Sequence, residues 1–363
     1  MKIAILGTRG VPNHHGGFEQ FAEYFSVYLA SRDHHVYVYN SHDHPYQEAK
    51  FNGVNIIHCY DAESKIGTAG QFIYDLNCII DARKRNFDVI LQLGYTSNSI
   101  WYWFLPKKPV IITNMDGMEW KRSKYSKKVR KFLKFAEKLA VKSSDYLIAD
   151  SIGIQDYLQD TYNKTSEYIA YGAEVFKNPN QEVLSKYNVE KNEYCVLIAR
   201  LEPENNIETI IEGYVQSNLF YPLIIFGGLN EFGKNLKLKY ANDLRIQFVG
   251  ANYNQNQLNN MRYHSRYYFH GHSVGGTNPS LLEAMSSNTL IIANNNIFNK
   301  SILGTEALYF DTSNDIKIIL DQDKAFKLKK QFSEANISKI NDCFNWSTIN
   351  NHYETFILGT LNK

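Results

Sequence analysis

The feature that most constrains this chain is a rhythm of short apolar runs alternating with amphipathic stretches, broken once and then restarted. Runs rich in β-branched residues fall at Ile3–Leu6, Val36–Tyr39, Val89–Leu93, Val110–Thr113 and Tyr146–Ala149. They recur at Cys195–Ala199, Leu223–Phe226, Ile246–Val249, Tyr267–His270, Leu290–Ala293 and Leu308–Phe310. Strand lengths separated by helix lengths are the pattern of parallel strands joined by crossover helices, so the class expected is α/β, with two doubly wound sheets. Phe18, Phe21, Ala22, Phe25 and Leu29 repeat at helical spacing and predict the first helix as one buried stripe.

A chain of 363 residues exceeds the size at which one core stops growing, which also favours two domains. The polar, turn-rich stretch Tyr171–Glu193 is the expected connection, dividing residues 1–171 from 172–343. A last helix carrying Trp346, Ile349, Tyr353, Phe356 and Ile357 follows no strand of its own, so residues 344–363 are expected to pack back on the first domain.

Composition excludes several functions. Lys plus Arg is 39 against 37 for Asp plus Glu, a net charge of +2, which gives no global field for a nucleic acid. Cys59, Cys78, Cys195 and Cys343 are scattered without CxxC spacing, so a reducing, cytoplasmic setting is expected. The apolar run after Lys2 is too short for a signal peptide, and Ile100–Leu105 falls far short of the roughly 20 residues that span a bilayer. Any membrane association is therefore expected to be peripheral.

The candidate chemistry lies in loops that follow strands. After the first strand come Gly7-Thr8-Arg9-Gly10 and Gly16-Gly17-Phe18-Glu19, where bare backbone and a helix N-terminus suit a phosphate; a long glycine-containing βα loop with no ligand is the alternative. The spacing is not that of a dinucleotide site, and the second strand ends in Asn40 where such a site has an acid. In the second half, Gly275, Gly276 and Thr277 precede Asn278-Pro279, an N-cap with proline at the first helical position, so a second phosphate cradle is expected there. Glu283, one turn on, could accept both hydroxyls of a ribose, or it is a solvent-facing helical glutamate. Arg200 directly follows a strand, where its fork suits a diphosphate or an ion pair with Glu202 or Glu204. Asp116 and Glu119 close the strand Val110–Thr113 and could orient or deprotonate an acceptor hydroxyl, or only form a turn.

At these loops the sequence resembles the retaining glycosyltransferases of family four, which have the GT-B architecture of two facing Rossmann-like domains. The resemblance rests on GTRG, GGFE, NMDGMEW, ADS at Ala149–Ser151, AYGAE at Ala170–Glu174, ARLEPENN, GGTNPSLLEAM and the terminal FNWSTI, and it is closest to the subgroup with a rhamnosyltransferase-type N-terminal domain. It implies that Gly16 and Gly17 approach the donor diphosphate, that Arg200 neutralises it and that Glu283 holds the ribose. Asn205 stands where the wider family has lysine and Gly275 where it has the first glutamate of E-x7-E, which implies a variant donor site.

The implied activity is transfer of a hexose, foremost L-rhamnose from dTDP-rhamnose, to a lipid-linked or growing polysaccharide acceptor with retention. A UDP- or GDP-sugar donor, or a non-catalytic nucleotide-sugar-binding subunit, is the competing reading. No cofactor and no metal is expected, although Asp321-Gln322-Asp323 is a D-x-D string and His270 and His272 are potential ligands. Finally, Trp120–Val141 crowds Lys121, Arg122, Lys124, Lys127, Lys128, Arg130, Lys131, Lys134 and Lys138 beside Phe132, Phe135, Ala136 and Leu139. A basic amphipathic helix of this kind suits the anionic inner face of the cytoplasmic membrane, with an ordinary solvated helix as the alternative.

Overall fold

A computed structural model describes every residue except Ser123, Asp323 and Lys363, and describes Lys324 and Ala325 without their side chains. Asp323, the second acid of the D-x-D string, thus lies outside the described residues. The chain divides into two compact units. The first comprises Met1–Lys121, Tyr125–Tyr171 and the segment from Trp346 onward; the second comprises Gly172–Asn345 and also takes in Arg122 and Lys124.

The first unit holds an eight-stranded sheet: β1 (Lys2–Leu6), β2 (His35–Ser41), β3 (Lys50–Phe51), β4 (Val54–Cys59), β5 (Val89–Leu93), β6 (Val110–Asn114), β7 (Tyr146–Ala149) and β8 (Glu167–Tyr168). Its order is β3-β4-β2-β1-β5-β6-β7-β8, with every pairing parallel except β3 with β4. The second unit holds β9 (Cys195–Ile198), β10 (Leu223–Phe226), β11 (Ile246–Gly250), β12 (Tyr267–His270), β13 (Ile291–Asn294) and β14 (Leu308–Phe310), ordered β11-β10-β9-β12-β13-β14 and parallel throughout. In both sheets the strand order reverses beside the first strand, between β1 and β5 and between β9 and β12. That reversal opens a crevice at the carboxyl ends, where open α/β sheets bind ligands.

The apolar runs form the sheets because both faces of a parallel sheet are covered by helices, so continuous hydrophobic strands are satisfied there. Ile3–Ile5, Val89–Leu91 and Leu223–Ile225 are fully buried. The first helix, Gly17–Ala30, buries Phe21, Ala22, Phe25 and Leu29 as their spacing predicts, whereas Phe18, expected in the same stripe, sits in the first turn and is only half-buried. Three strands went unread in the sequence. In β4 polar Asn55 and His58 interrupt the apolar positions, and β3 and β8 have two residues each.

The terminal helix, Trp346–Leu361, packs on the first helix: Tyr353 lies 4.5 Å from Phe21 and Trp346 stacks on Tyr24 at 4.4 Å. Its buried Glu354 accepts from Tyr28 Oη at 3.2 Å, from Arg32 Nε at 2.9 Å and from the ring of His34 at 2.8 Å. Burial alone would raise the Glu354 carboxyl, but the donors on the first helix and at the start of β2 hold it below its ordinary range. Replacing Glu354 by Ala should cost about 2 kcal/mol, because a charge-assisted set is lost and its donors are stranded. Arg32→Ala should cost less than about 1 kcal/mol, since that guanidinium is half exposed. Thermal melts and hydrogen exchange of the terminal helix would read the difference.

Candidate active site

In the first unit the turn after β1 is fixed by close backbone approach. Gly10 has φ +128° and a Cβ there would meet the Asn40 side chain at 2.3 Å. Asn40 Oδ1 accepts from Val11 N at 3.1 Å and its Nδ2 donates to the Val11 carbonyl at 2.8 Å. The residue that replaces a dinucleotide site's acid is therefore the brace of the loop. Gly16 is the N-cap of the first helix without a side-chain cap, and Gly17 is its first residue. The first-turn carboxylate of Glu19 is buried and accepts Arg9 N–H at 2.9 Å, so it already places a negative charge at that helix end.

Asp116 and Glu119 are both half-buried in the loop after β6. Asn114, the last residue of β6, turns this loop: its Oδ1 accepts from Asp116 N at 3.0 Å, and Asp116 takes φ +51°. Asn114 Nδ2 donates to Tyr353 Oη at 2.8 Å, tying the loop to the terminal helix. Trp120 Nε1 donates to Glu137 at 3.0 Å, and the same carboxylate accepts from Tyr157 and Tyr162 at 2.6 Å each. Nothing in the sequence singled out Glu137, which is almost fully buried on a helix otherwise read as basic.

That helix spans Lys127–Ser143 and buries Leu133, Ala136, Glu137, Ala140 and Val141. Phe135, expected among the apolar contacts, points outward with 55% exposure. Lys134, counted with the outward lysines, instead lies 4.4 Å from the Trp120 ring and 4.5 Å from that of Tyr157, drawn in by Glu137. Lys127, Lys128 and Lys131 are exposed, while Arg130 is half-buried and donates through Nε to the Tyr125 carbonyl at 2.9 Å. The exposed stripe is Lys128, Lys131, Phe135, Lys138 and Lys142. The turn Ser99–Phe104 packs beside this helix and exposes Trp103.

In the second unit Arg200 lies two residues beyond the end of β9 and is exposed. Among the described residues its guanidinium pairs with neither Glu202 nor Glu204. Asn205, buried, donates through Nδ2 to the Arg200 carbonyl at 2.7 Å and so sets the turn rather than offering its amide outward. Asn206 Nδ2 reaches the Gly271 carbonyl at 2.7 Å and Ser273 N the Glu204 carbonyl at 3.1 Å, which laces the loops after β9 and β12 together.

The loop after β12 leads to a helix at Pro279–Met285, capped by Asn278, whose Oδ1 accepts from Ser280 N at 2.9 Å. Gly275 has φ +132° and open space where a Cβ would be, while Gly276 is half-buried and Thr277 buried. With seven residues, the helix has a short dipole. Glu283 is neither solvent-facing nor wholly available. Arg262, fully buried, donates from Nη2 to Glu283 Oε2 at 2.7 Å and to Ser280 Oγ at 3.0 Å, which leaves Oε1 as the oxygen without a protein partner among the described residues. Arg262 escaped the sequence reading because it sits mid-helix, in Gln255–His264, with no motif around it.

His270 and His272 stack at 4.5 Å, and burial drives both toward the neutral form, His272 to about 3 with Arg200 adding to the effect. His264 is likewise lowered by burial, to about 4. Among the described residues no group of three His, Cys, Asp or Glu is arranged to hold a metal.

The first 174 residues match the family model described as a domain of unknown function, DUF1972. No curated protein matches the chain. Among solved structures the chain is similar to a sucrose-phosphate synthase from Thermosynechococcus elongatus (TM-score 0.80, 15% identity, 99% of each chain). It is also similar to HepE from Anabaena in complex with UDP and glucose (TM-score 0.76, 15% identity, 99% of this chain and 100% of that one). A third is a glycosyltransferase from Rickettsia africae (TM-score 0.73, 14% identity, 100% of this chain and 99% of that one). The fold is GT-B.

Three desolvated histidines, His264 and His270 buried and His272 half-buried, give this unit a pH signature. A base whose folded pKa is depressed supplies stability that is present above its unfolded value near 6.5 and lost as pH falls toward the folded value. Each should contribute a slope of up to about 1.4 kcal/mol per pH unit below about pH 6, or about 4 for the three. Urea unfolding between about pH 7 and pH 5 should show that loss, and His264→Asn should remove about a third of the slope.

Proposed function

We propose that the chain is a nucleotide-sugar-dependent glycosyltransferase whose donor diphosphate is met by Arg200. The observation that carries this reading is an exposed arginine, unpaired with its neighbouring glutamates, at the carboxyl end of β9, beside the strand-order reversal of a GT-B fold. A permanently charged fork there can take two phosphate oxygens and stabilise the charge that develops on the leaving group. Gly275, Gly276 and Thr277 leave the neighbouring loop slim enough for a ligand to approach, and Glu283 Oε1 is available to a ribose hydroxyl. Within the first unit, Gly16 and Gly17 are proposed to offer backbone N–H groups at the N-terminus of the first helix to a phosphate, and Asp116 or Glu119 to orient the acceptor hydroxyl. The reaction is transfer with retention and without metal.

The donor proposed is dTDP-rhamnose, on the sequence resemblance, and the acceptor a lipid-linked or growing polysaccharide. The structure of HepE in complex with UDP and glucose favours a UDP-sugar as the second reading. Titrating the protein with dTDP, UDP and GDP separates the donors, and transfer to a lipid-linked acceptor separates an enzyme from a nucleotide-sugar-binding subunit. Arg200→Ala should lower kcat/KM by about 10- to 150-fold with the melting temperature unchanged, since its loss removes charge-assisted bonds of about 1.5–3 kcal/mol. Full turnover in that variant, or activity abolished by EDTA and restored by magnesium, would contradict the mechanism. Glu283→Ala is a poorer test than the sequence suggested, because it also strands buried Arg262.

The basic helix is proposed to meet an anionic membrane surface at the inner face of the cytoplasmic membrane, where a lipid-linked acceptor resides. Phe135 at the centre of four exposed lysines supports this, with Trp103 exposed on the turn beside it. No helix among the described residues is long and apolar enough to cross a membrane. Co-sedimentation with anionic vesicles should fall with salt, each surface Lys or Arg being worth about 1 kcal/mol. It should fall further when Lys127, Lys128, Arg130 and Lys131 become Gln. Binding to neutral vesicles that equals binding to anionic ones would refute the electrostatic contact.

A further inference from the structure

A cavity of about 270 Å³ opens in the first unit where β1, β2 and β4 end. Arg9 reaches it from the loop after β1, Asp43 and His44 from after β2, and Asp61 and Glu63 from after β4, while Glu19 comes from the first turn of the first helix. It opens to solvent and has room for one sugar ring.

The single guanidinium there is already spent. Arg9 forks onto Glu63 through Nε at 3.0 Å and Nη2 at 2.8 Å, and its Nη1 meets His15 Nε2 at 2.8 Å. His44 is used in the wall, with Nε2–H donating to the Pro12 carbonyl at 3.1 Å. Burial keeps that imidazole toward the neutral form.

The carboxylates, in contrast, are only half satisfied. Glu19 and Asp61 are each 5% exposed. One oxygen of each takes a backbone N–H, Glu19 Oε1 from Arg9 at 2.9 Å and Asp61 Oδ1 from Glu63 at 2.8 Å. The second oxygens, Glu19 Oε2 and Asp61 Oδ2, have no protein partner among the described residues. Both residues line the cavity, so these oxygens open onto it and take their donors from a ligand or from water. Beyond the Arg9–Glu63 pair, three carboxylates line the cavity: Glu19, Asp61 and, at the rim, Asp43, whose Oδ1 lies 3.3 Å from His42 Nε2.

We propose that this cavity seats one ring of a saccharide that is neutral or carries an amino group, and that it rejects phosphorylated and carboxylated sugars. Hydroxyls or an ammonium donate to Glu19 Oε2 and Asp61 Oδ2, whereas a phosphate meets Glu19, Asp43 and Asp61 with the one guanidinium already spent. That this ring is the acceptor's terminal sugar rests on the glycosyltransferase reading; the binding preference does not.

Saturation-transfer NMR on the full chain, without donor, would compare methyl glucoside, glucosamine, glucuronate and glucose 6-phosphate. The first two should bind, and the anionic pair should bind at least about tenfold more weakly. Asp43→Arg, at the exposed rim, should narrow that gap, and Ser64→Trp, also exposed, should block all binding; melting curves would verify that both variants fold. Equal or tighter binding of the anionic sugars, no response from any of the four, or a response that survives Ser64→Trp would overturn the proposal. Saccharide binding without transfer would refute the transferase reading alone. Transfer undiminished in Ser64→Trp would refute this cavity as the acceptor seat and leave the transferase reading standing.

Discussion

A parallel sheet puts every strand's carboxyl end on one edge, and the loops leaving that edge must turn back through helices on either face. Everything chemical in this chain follows from that constraint. In the first unit the loops after β1, β2, β4 and β6 carry Arg9, Asp43, Asp61 and Asp116; in the second those after β9 and β12 carry Arg200 and Gly275. Residues far apart in sequence become neighbours because the order reversal sets β1 next to β5 and β9 next to β12. The ties found between the loops after β9 and β12 are the local result. Asn206 and Ser273 hold them at fixed spacing, which keeps the loop of Arg200 beside the loop of Gly275.

Strands made mostly of apolar residues and buried at every position were legible to the residue, as in Val89–Leu93, Leu223–Phe226 and Tyr267–His270. Burial on both faces leaves one signal, and that signal is strong. At β4, nearer the sheet edge, the polar positions break it. The candidate site was legible where backbone chemistry set it, as at Asn278-Pro279, and illegible where one buried side chain redirects another. Arg262 claims an oxygen of Glu283 and Glu137 turns Lys134 inward; neither pairing has a sequence spacing that announces it. Phe135 was misassigned because a helix with charges on most sides has a narrow buried stripe, here set by Leu133, Ala136 and Ala140.

Two buried carboxylates and one half-buried one organise distant segments in the same way. Glu354 gathers the first helix and the start of β2 onto the terminal helix, Glu137 gathers Trp120, Tyr157 and Tyr162, and Glu283 anchors Arg262. A buried charge is costly unless several donors surround it, so each carboxylate selects one arrangement of its neighbours and penalises the others. Glu137 bears most on function: it ties the loop of Asp116 and Glu119 to the basic helix through Trp120, so the position of that loop depends on how the helix packs.

The two units present opposite unmet needs. The second offers an exposed cation unpaired with its neighbouring glutamates, which suits a group bearing several negative oxygens. The first offers carboxylate oxygens lining a cavity beside a cation already paired, which suits a group bearing hydroxyl donors. A diphosphate leaving group and a sugar ring have these two characters, and neither fits the other's place: the phosphate would face Glu19 and Asp61, and the ring would leave Arg200 uncompensated. Glu19 sharpens the distinction within the first unit itself. Its carboxylate in the first turn partly cancels the positive end of the first helix, so Gly16 and Gly17 can favour a phosphate only through backbone N–H groups turned away from Glu19.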